Sequence, residues 1–547
     1  MASRPVAAPT PDADDPRTER LDAAPGSPQH PRHPQPPPGR SWAARLLLAV
    51  LVALLVAGGL VVRLGLVGGD GIGAGDNADG ARLFCVAELE PVAPDGRAAW
   101  RDVVVTEFRT GGEACPPEAP ASSAGLVLSV AVDAGALLEG APPAPDGTQR
   151  FSLEWLAALY LGLIALGAGV AAYAVTARHA ALRLLTVLGP PIAPLLLVPW
   201  WSRFLVSTYA EPAGLVGAVW VALGLLAVAV TRPADRGARI AALVLLGAGG
   251  ALAATAKPGF LAVGAVAVVA AALVAVGTAR RRRRVAGLAT AAVVLAVSAL
   301  PVLSGLRAQD DYYEVVNAHN LAFTAVLPES GPPATAALGL RPEAWDHAGE
   351  GFFFDSGAGV PGWRETVADR PEELRAAAYR WVATHPRVLA RLVQRGMVAT
   401  MRPQMPYLVS ATAGADGAVG DAPVEFHPEA PPFMGPFFAY LDEVDAPWLP
   451  AGLVAVSVLG AAATLVVPRE RGVAAGWFRA AARLTRVAAA LAVAGTGVVV
   501  VAVLGDGYYE LIKHVWLASY AFVVTAGVLA AALVAAGTGA VVTRRRR

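Results

Sequence analysis

A series of uninterrupted apolar runs constrains this chain most, because each approaches the roughly 20 residues a helix needs to cross a bilayer core. Ten such runs are read, at about 44–66, 153–175, 182–200, 212–230, 238–255, 260–279, 285–303, 449–467, 486–504 and 516–541. In hydrocarbon every backbone polar group must be satisfied within its own segment, so each run is expected to be helical. Only 16% of the 547 residues are charged and 55% are hydrophobic, whereas soluble domains carry about a quarter charged residues. The expected fold class is an all-α polytopic membrane protein of about ten transmembrane helices with two extracytoplasmic loop domains. A net charge of +1 gives no sign of a nucleic-acid partner.

The arginines give an independent test of that count, since short cytoplasmic loops accumulate Lys and Arg. With the N-terminus inside, the inner segments carry Arg40 and Arg45, then Arg178 and Arg183, then Arg232, Arg236 and Arg239. They continue with Arg280 to Arg284, with Arg469, Arg471, Arg479, Arg483 and Arg486, and with Arg544 to Arg547. The outward turns at 201–211, 256–259 and 505–515 hold only Arg203, Lys257 and Lys513. Both termini are therefore expected in the cytoplasm, with the chain in the cytoplasmic membrane.

The expected organisation follows. Residues 1–41 form a Pro-rich cytoplasmic tail, too poor in aliphatics to fold, and 42–67 the first transmembrane helix. Residues 68–152 form a small extracytoplasmic loop domain, 153–303 hold helices two to seven, 304–448 form a second, mainly helical loop domain, and 449–547 hold the last three helices and a basic end. The first apolar run begins near Ala44, too late for a signal peptide. In the first loop domain "WRDVVVTEF" and "GLVLSVAVDA" are β-branched and bounded by Gly and Pro, so both read as strands. Cys85 and Cys115 are the only cysteines and share that loop, where an oxidising exterior favours a disulfide over two free thiols.

Charged residues recur at the outward ends of the spans. "GDNADGARLF", just after the first span, holds Asp76, Asp79 and Arg82; "STYAEPAGL" holds Tyr209 and Glu211; "TAKPGF" holds Lys257. "GDGYYELIKHVW" holds Asp506, Glu510, Lys513 and His514, which one continuous helix would gather on one face. Each charge alone reads as an interfacial anchor or helix cap. Their recurrence at one depth, from four distant segments, reads as convergence on one cavity.

Farther along, Arg380, Arg387, Arg391 and Arg395 share one side of a helix whose other face carries Leu389, Leu392 and Val393. This is the pattern of a helix lying on anionic headgroups. Arg387 and Arg391 either grip a carrier phosphate or simply anchor this helix.

The acidic motif after the first span, the long first loop and the outward charges resemble the GT-C superfamily of integral-membrane glycosyltransferases. The resemblance covers about residues 44–541. It implies transfer of a sugar from a polyprenyl-phosphate carrier to an envelope glycan, lipid or protein, with membrane lipids and the lipid-linked sugar as partners. Asp79 best matches the acidic motif and Asp76 is second. A divalent metal is left open, because the sequence lacks a clean DxD.

The residue types suit that chemistry independently. A carboxylate from Asp79 or Glu211 can take the proton of an attacking hydroxyl, and Lys257, Lys513 or Arg82 can hold the departing phosphate. No P-loop, HExxH or GxSxG occurs, which counts against ATP-driven transport, zinc proteases and esterases. A transporter or flippase of lipid-linked glycans, or a non-catalytic envelope assembly protein, is the competing expectation.

Overall fold

The computed structural model describes residues 42–544 except 68–71, 76–78, 93–104, 113–119, 141–143, 146, 176–179, 278–283, 354–358, 404, 406–407, 409, 413–447 and 467–472. The tail 1–41 therefore lies outside the described residues, as do Asp76 and Cys115 with its expected disulfide to Cys85.

Among the described residues eight helices are long and apolar enough to cross a membrane: Trp42–Arg63, Leu153–Val175, Glu211–Val230, Arg236–Ala256, Val285–Ser330, Trp448–Val466, Ala475–Gly505 and Trp516–Arg544. Two of the ten expected spans differ. The third is broken, its helices Ala181–Leu197 and Pro199–Leu205 meeting at 81°. Pro190, Pro191 and Pro194 lie inside the first of these and Pro199 opens the second. A proline supplies no N–H and clashes with the preceding turn, so so dense a cluster favours a break. The sixth is a short apolar helical stretch, Pro258–Leu273. The seventh runs on without a break, as α-helix to Asn320 and then through a π-helical turn at Leu321–Val326.

Glu211–Val230 and Arg236–Ala256 form a tight hairpin. A Cβ on Gly217 would stand 2.6 Å from the Gly249 carbonyl oxygen, and one on Gly249 would stand 2.7 Å from that of Gly217. Small residues at such a contact let helix backbones approach where lipid supplies no hydrophobic drive. The antiparallel pairing brings Glu211, at the start of one helix, beside Lys257, just past the end of the other.

Over its described residues the first loop is mixed rather than β-rich, and most of "WRDVVVTEF" lies outside them. Leu89–Pro91, Glu107–Thr110 and Arg150–Ser152 form an antiparallel sheet with Glu107–Thr110 at its centre. "GLVLSVAVDA", expected as a strand, lies within the helix Ser123–Glu139. Ser122 caps it, its side chain accepting the Gly125 N–H, and Gly140 ends it at φ 57°. Its buried residues Ala124, Val127, Leu128, Ala131 and Gly135 recur at helical spacing, so the run was amphipathic at period 3.6 and not 2.

The second loop region has its own hydrophobic core, in which Phe323, Leu327, Val367, Leu374 and Leu392 are buried with Val503 from the helix Val473–Gly505. Pro371–Thr384 and Pro386–Ala399 are helical as expected. A two-stranded pairing of Ile72–Ala74 with Ser410–Thr412 ties the two loops together.

Candidate functional site

The hairpin places Lys257 Nζ 3.0 Å from Glu211 Oε1, and Glu211 is almost wholly buried. A buried carboxylate is costly unless paired, so Lys257 is the partner that allows Glu211 to be charged there.

Asp79 stands just before the short helix Ala81–Phe84 and holds two cations. Arg82 Nη2 donates to its Oδ1 at 2.6 Å, and Lys513 Nζ donates to its Oδ2. The same ammonium donates to Glu510 Oε2 at 2.6 Å, and the Lys513 side chain has no exposure at all. Burial alone would raise the Asp79 carboxyl, but Arg82, Lys513 and Lys257 outweigh it and hold it far below the usual carboxylate range. Burial likewise disfavours the Lys513 ammonium, and Asp79 and Glu510 overcome this, raising its pKa above that of an ordinary lysine.

The stretch "GDGYYELIKHVW" is not one helix. The preceding helix ends at Gly505, Gly507 and Glu510 have φ of 60° and 44°, and a four-residue helix covers only Leu511–His514. Two separate pairs result. Glu510 and Lys513 face Asp79, whereas Asp506 accepts from Asn320 Nδ2 at 2.8 Å and lies 3.0 Å from His514 Nε2. The single four-residue wall expected from helical spacing is therefore divided, because two left-handed residues reverse the chain within it.

Asp79, Arg82, Tyr209, Glu211 and Lys257 line one cavity of about 220 Å³. Lys513 is not among its described lining residues: its ammonium lies 5.7 Å from the Tyr209 ring centre and is bonded to Asp79 and Glu510. Tyr209 Oη donates to the Gly75 carbonyl at 3.0 Å. Glu510, Asp506 and His514 are outside the described lining.

Arg387 and Arg391 are also elsewhere, on the exposed side of Pro386–Ala399. Arg391 donates to the Glu329 carbonyl at 3.0 Å. Sequence reasoning missed Gln309, Tyr312 and Tyr313, which line the cavity from the extension of the seventh span. Tyr313 lies under the Arg82 guanidinium, 5.1 Å from ring centre to Cζ. The signal was "QDDYY" continuing the helical run beyond the apolar residues.

The residues that meet in this cavity all belong to segments read as outward. Helices and cavity together define a polytopic helical membrane protein with a charged pocket at one end of its spans. Residues 40–416, well over half of the chain, match the family model described as the YfdI N-terminal transmembrane domain, and the chain belongs to that family. No curated protein and no solved structure matches it.

Proposed function

We propose that this protein is a GT-C-type glycosyltransferase that moves a sugar from a polyprenyl-phosphate carrier to a cell-envelope acceptor at the outer face of the cytoplasmic membrane. The observation that carries this reading is the convergence of two carboxylates and two cations, Asp79, Glu211, Arg82 and Lys257, on one cavity at the span ends. Glycosyl transfer needs both kinds of group: a base for the acceptor hydroxyl and cations for the phosphate that leaves. A carrier with a lipid tail accounts for a pocket that joins a few charged groups to a mostly apolar wall at the span ends.

In this mechanism the carrier phosphate draws Arg82 away from Asp79, which raises the basicity of that carboxylate. Asp79 accepts the acceptor proton as the hydroxyl oxygen bonds to the anomeric carbon. The bond from that carbon to the carrier phosphate breaks, and Arg82 and Lys257 stabilise the released charge. Lys513 and Glu510 act as positioning residues for Asp79. The rings of Tyr312 and Tyr313 on the cavity wall offer apolar surface and hydroxyls to a sugar.

A divalent metal fits this donor set poorly. Among the described residues no group of three His, Cys, Asp or Glu could hold one. Both Asp79 oxygens already accept from cations, whose charge repels a metal ion.

The test is sugar transfer in membranes of a deletion strain restored with each variant. Asp79→Asn should lower turnover at least about 100-fold at normal expression. Wild-type turnover in that variant would remove Asp79 from the mechanism. No transfer by the native protein across a panel of polyprenyl-phosphate sugars would overturn the enzyme reading in favour of a flippase.

A further inference from the structure

A second and much larger cavity, about 1700 Å³, runs along the broken third segment. Arg183, Arg232, Arg479 and Arg483 line it, and no described lining residue is acidic. Arg232, Arg479 and Arg483 are exposed. The rest of the wall is apolar over most of its length, reaching Val198, Trp201 and Val523. Leu185, Val523 and Val534 line it and are 69%, 41% and 65% exposed, so the cavity opens sideways where the bilayer lies. Its arginines stand at the Val230 end of Glu211–Val230, whereas the charged pocket stands at the Glu211 end. A helix of 20 residues separates the two by about 30 Å, a hydrocarbon thickness.

We propose that this cavity is a binding site for an anionic phospholipid of the leaflet at the arginine-rich end. The headgroup phosphate is held by the four guanidiniums, and an acyl chain lies along the apolar wall towards Trp201. Three features argue for this occupant. Guanidinium forks match phosphate oxygens, and no described lining residue of the cavity is a carboxylate. Basic pockets between transmembrane helices are suited to anionic headgroups. The lateral opening admits a molecule already dissolved in the bilayer, which a free anion from water would not need. The occupant is distinct from a sugar carrier at the charged pocket, since the two lie at opposite ends of one helix.

The experiment is native mass spectrometry of the full chain in mild detergent, with dioleoyl-phosphatidylglycerol or dioleoyl-phosphatidylcholine added in turn. The native protein should retain phosphatidylglycerol and release phosphatidylcholine. Removing two guanidiniums in R479Q/R483Q should weaken retention about 30-fold. A second variant, Ala531→Trp, fills the apolar wall while leaving every arginine, and should also lose the lipid. Equal retention of both lipids would overturn the proposal. So would unchanged retention in both variants, or displacement of the lipid by inorganic phosphate, which would mark a simple anion site. Should the arginine variant not fold, Ala531→Trp alone decides. Neither variant touches the carboxylate pocket, so the outcome is independent of whether sugar transfer is found.

Discussion

Asp79 is held between two cations, and this fixes how it responds to pH. Its folded-state pKa is depressed, so the stability it contributes is present above the ordinary carboxylate value and is lost only as pH falls through the lowered one. Lys513 is raised, so its contribution is full below the ordinary lysine value and is lost as pH rises through the higher one. Between about pH 5 and 9, inside the ordinary values of about 3.9 and 10.4, neither group changes charge. A pH profile of transfer should accordingly show no limb from Asp79 in that window; an acid limb abolished by Asp79→Glu would contradict the assignment. Lys513→Met should be harsher than a surface change, because it strands Asp79 and Glu510 side by side without their shared ammonium. Breaking a buried pair in this way costs about 3–5 kcal/mol. Thermal unfolding in detergent checks this, and an unchanged midpoint would show that the ammonium is not structural. At this scale the sequence was informative in part: Asp79, Arg82, Glu211 and Lys257 were named as converging, and they do. It could not say that Lys513 is fully enclosed, since enclosure depends on segments more than 400 positions apart.

The turn 506–510 shows how one element decides which residues meet. Gly507 lies at φ 60°, and a Cβ there would stand 2.5 Å from the Asn320 carbonyl oxygen. Tyr508 N–H donates to Thr324 Oγ1 at 2.8 Å, pinning the turn to the π-helical stretch. Gly507→Ala therefore meets both backbone strain, about 1–3 kcal/mol, and a backbone clash that cannot relax as a side chain would. Its expected effect is loss of the Glu510–Lys513 register, with lower thermal stability and lower transfer together; stability equal to the native protein would mean that the turn tolerates a side chain. The apolar runs made most helices legible, because length and hydropathy report burial in lipid directly. Turn conformation was not legible in "GDGYYELIKH", where helical spacing of the charges suggested a continuity that two left-handed residues interrupt. In "GLVLSVAVDA" β-branched content was given more weight than period.

Across the whole molecule, two cavities at opposite ends of the spans divide the charges into an acidic–basic cluster and a set of arginines. The positive-inside rule assigns the arginine end to the cytoplasm. Cysteines placed singly at Gly331 and Gly237, in a chain without its native cysteines, should label from outside and from inside respectively in intact cells. Protection of the first with labelling of the second would invert the assignment. The arginine counts give an expectation of sidedness, whereas the broken third segment was hidden within an apolar run that also holds four prolines. The acidic–basic cluster has one more consequence. Asp79, Glu211 and Glu510 are matched by Arg82, Lys257 and Lys513, so at rest the cluster is electrically neutral and offers no spare cation. An entering phosphate would compete with Asp79 for Arg82 and with Glu211 for Lys257. Under the proposed function, arrival of the donor would then free a carboxylate in the same event.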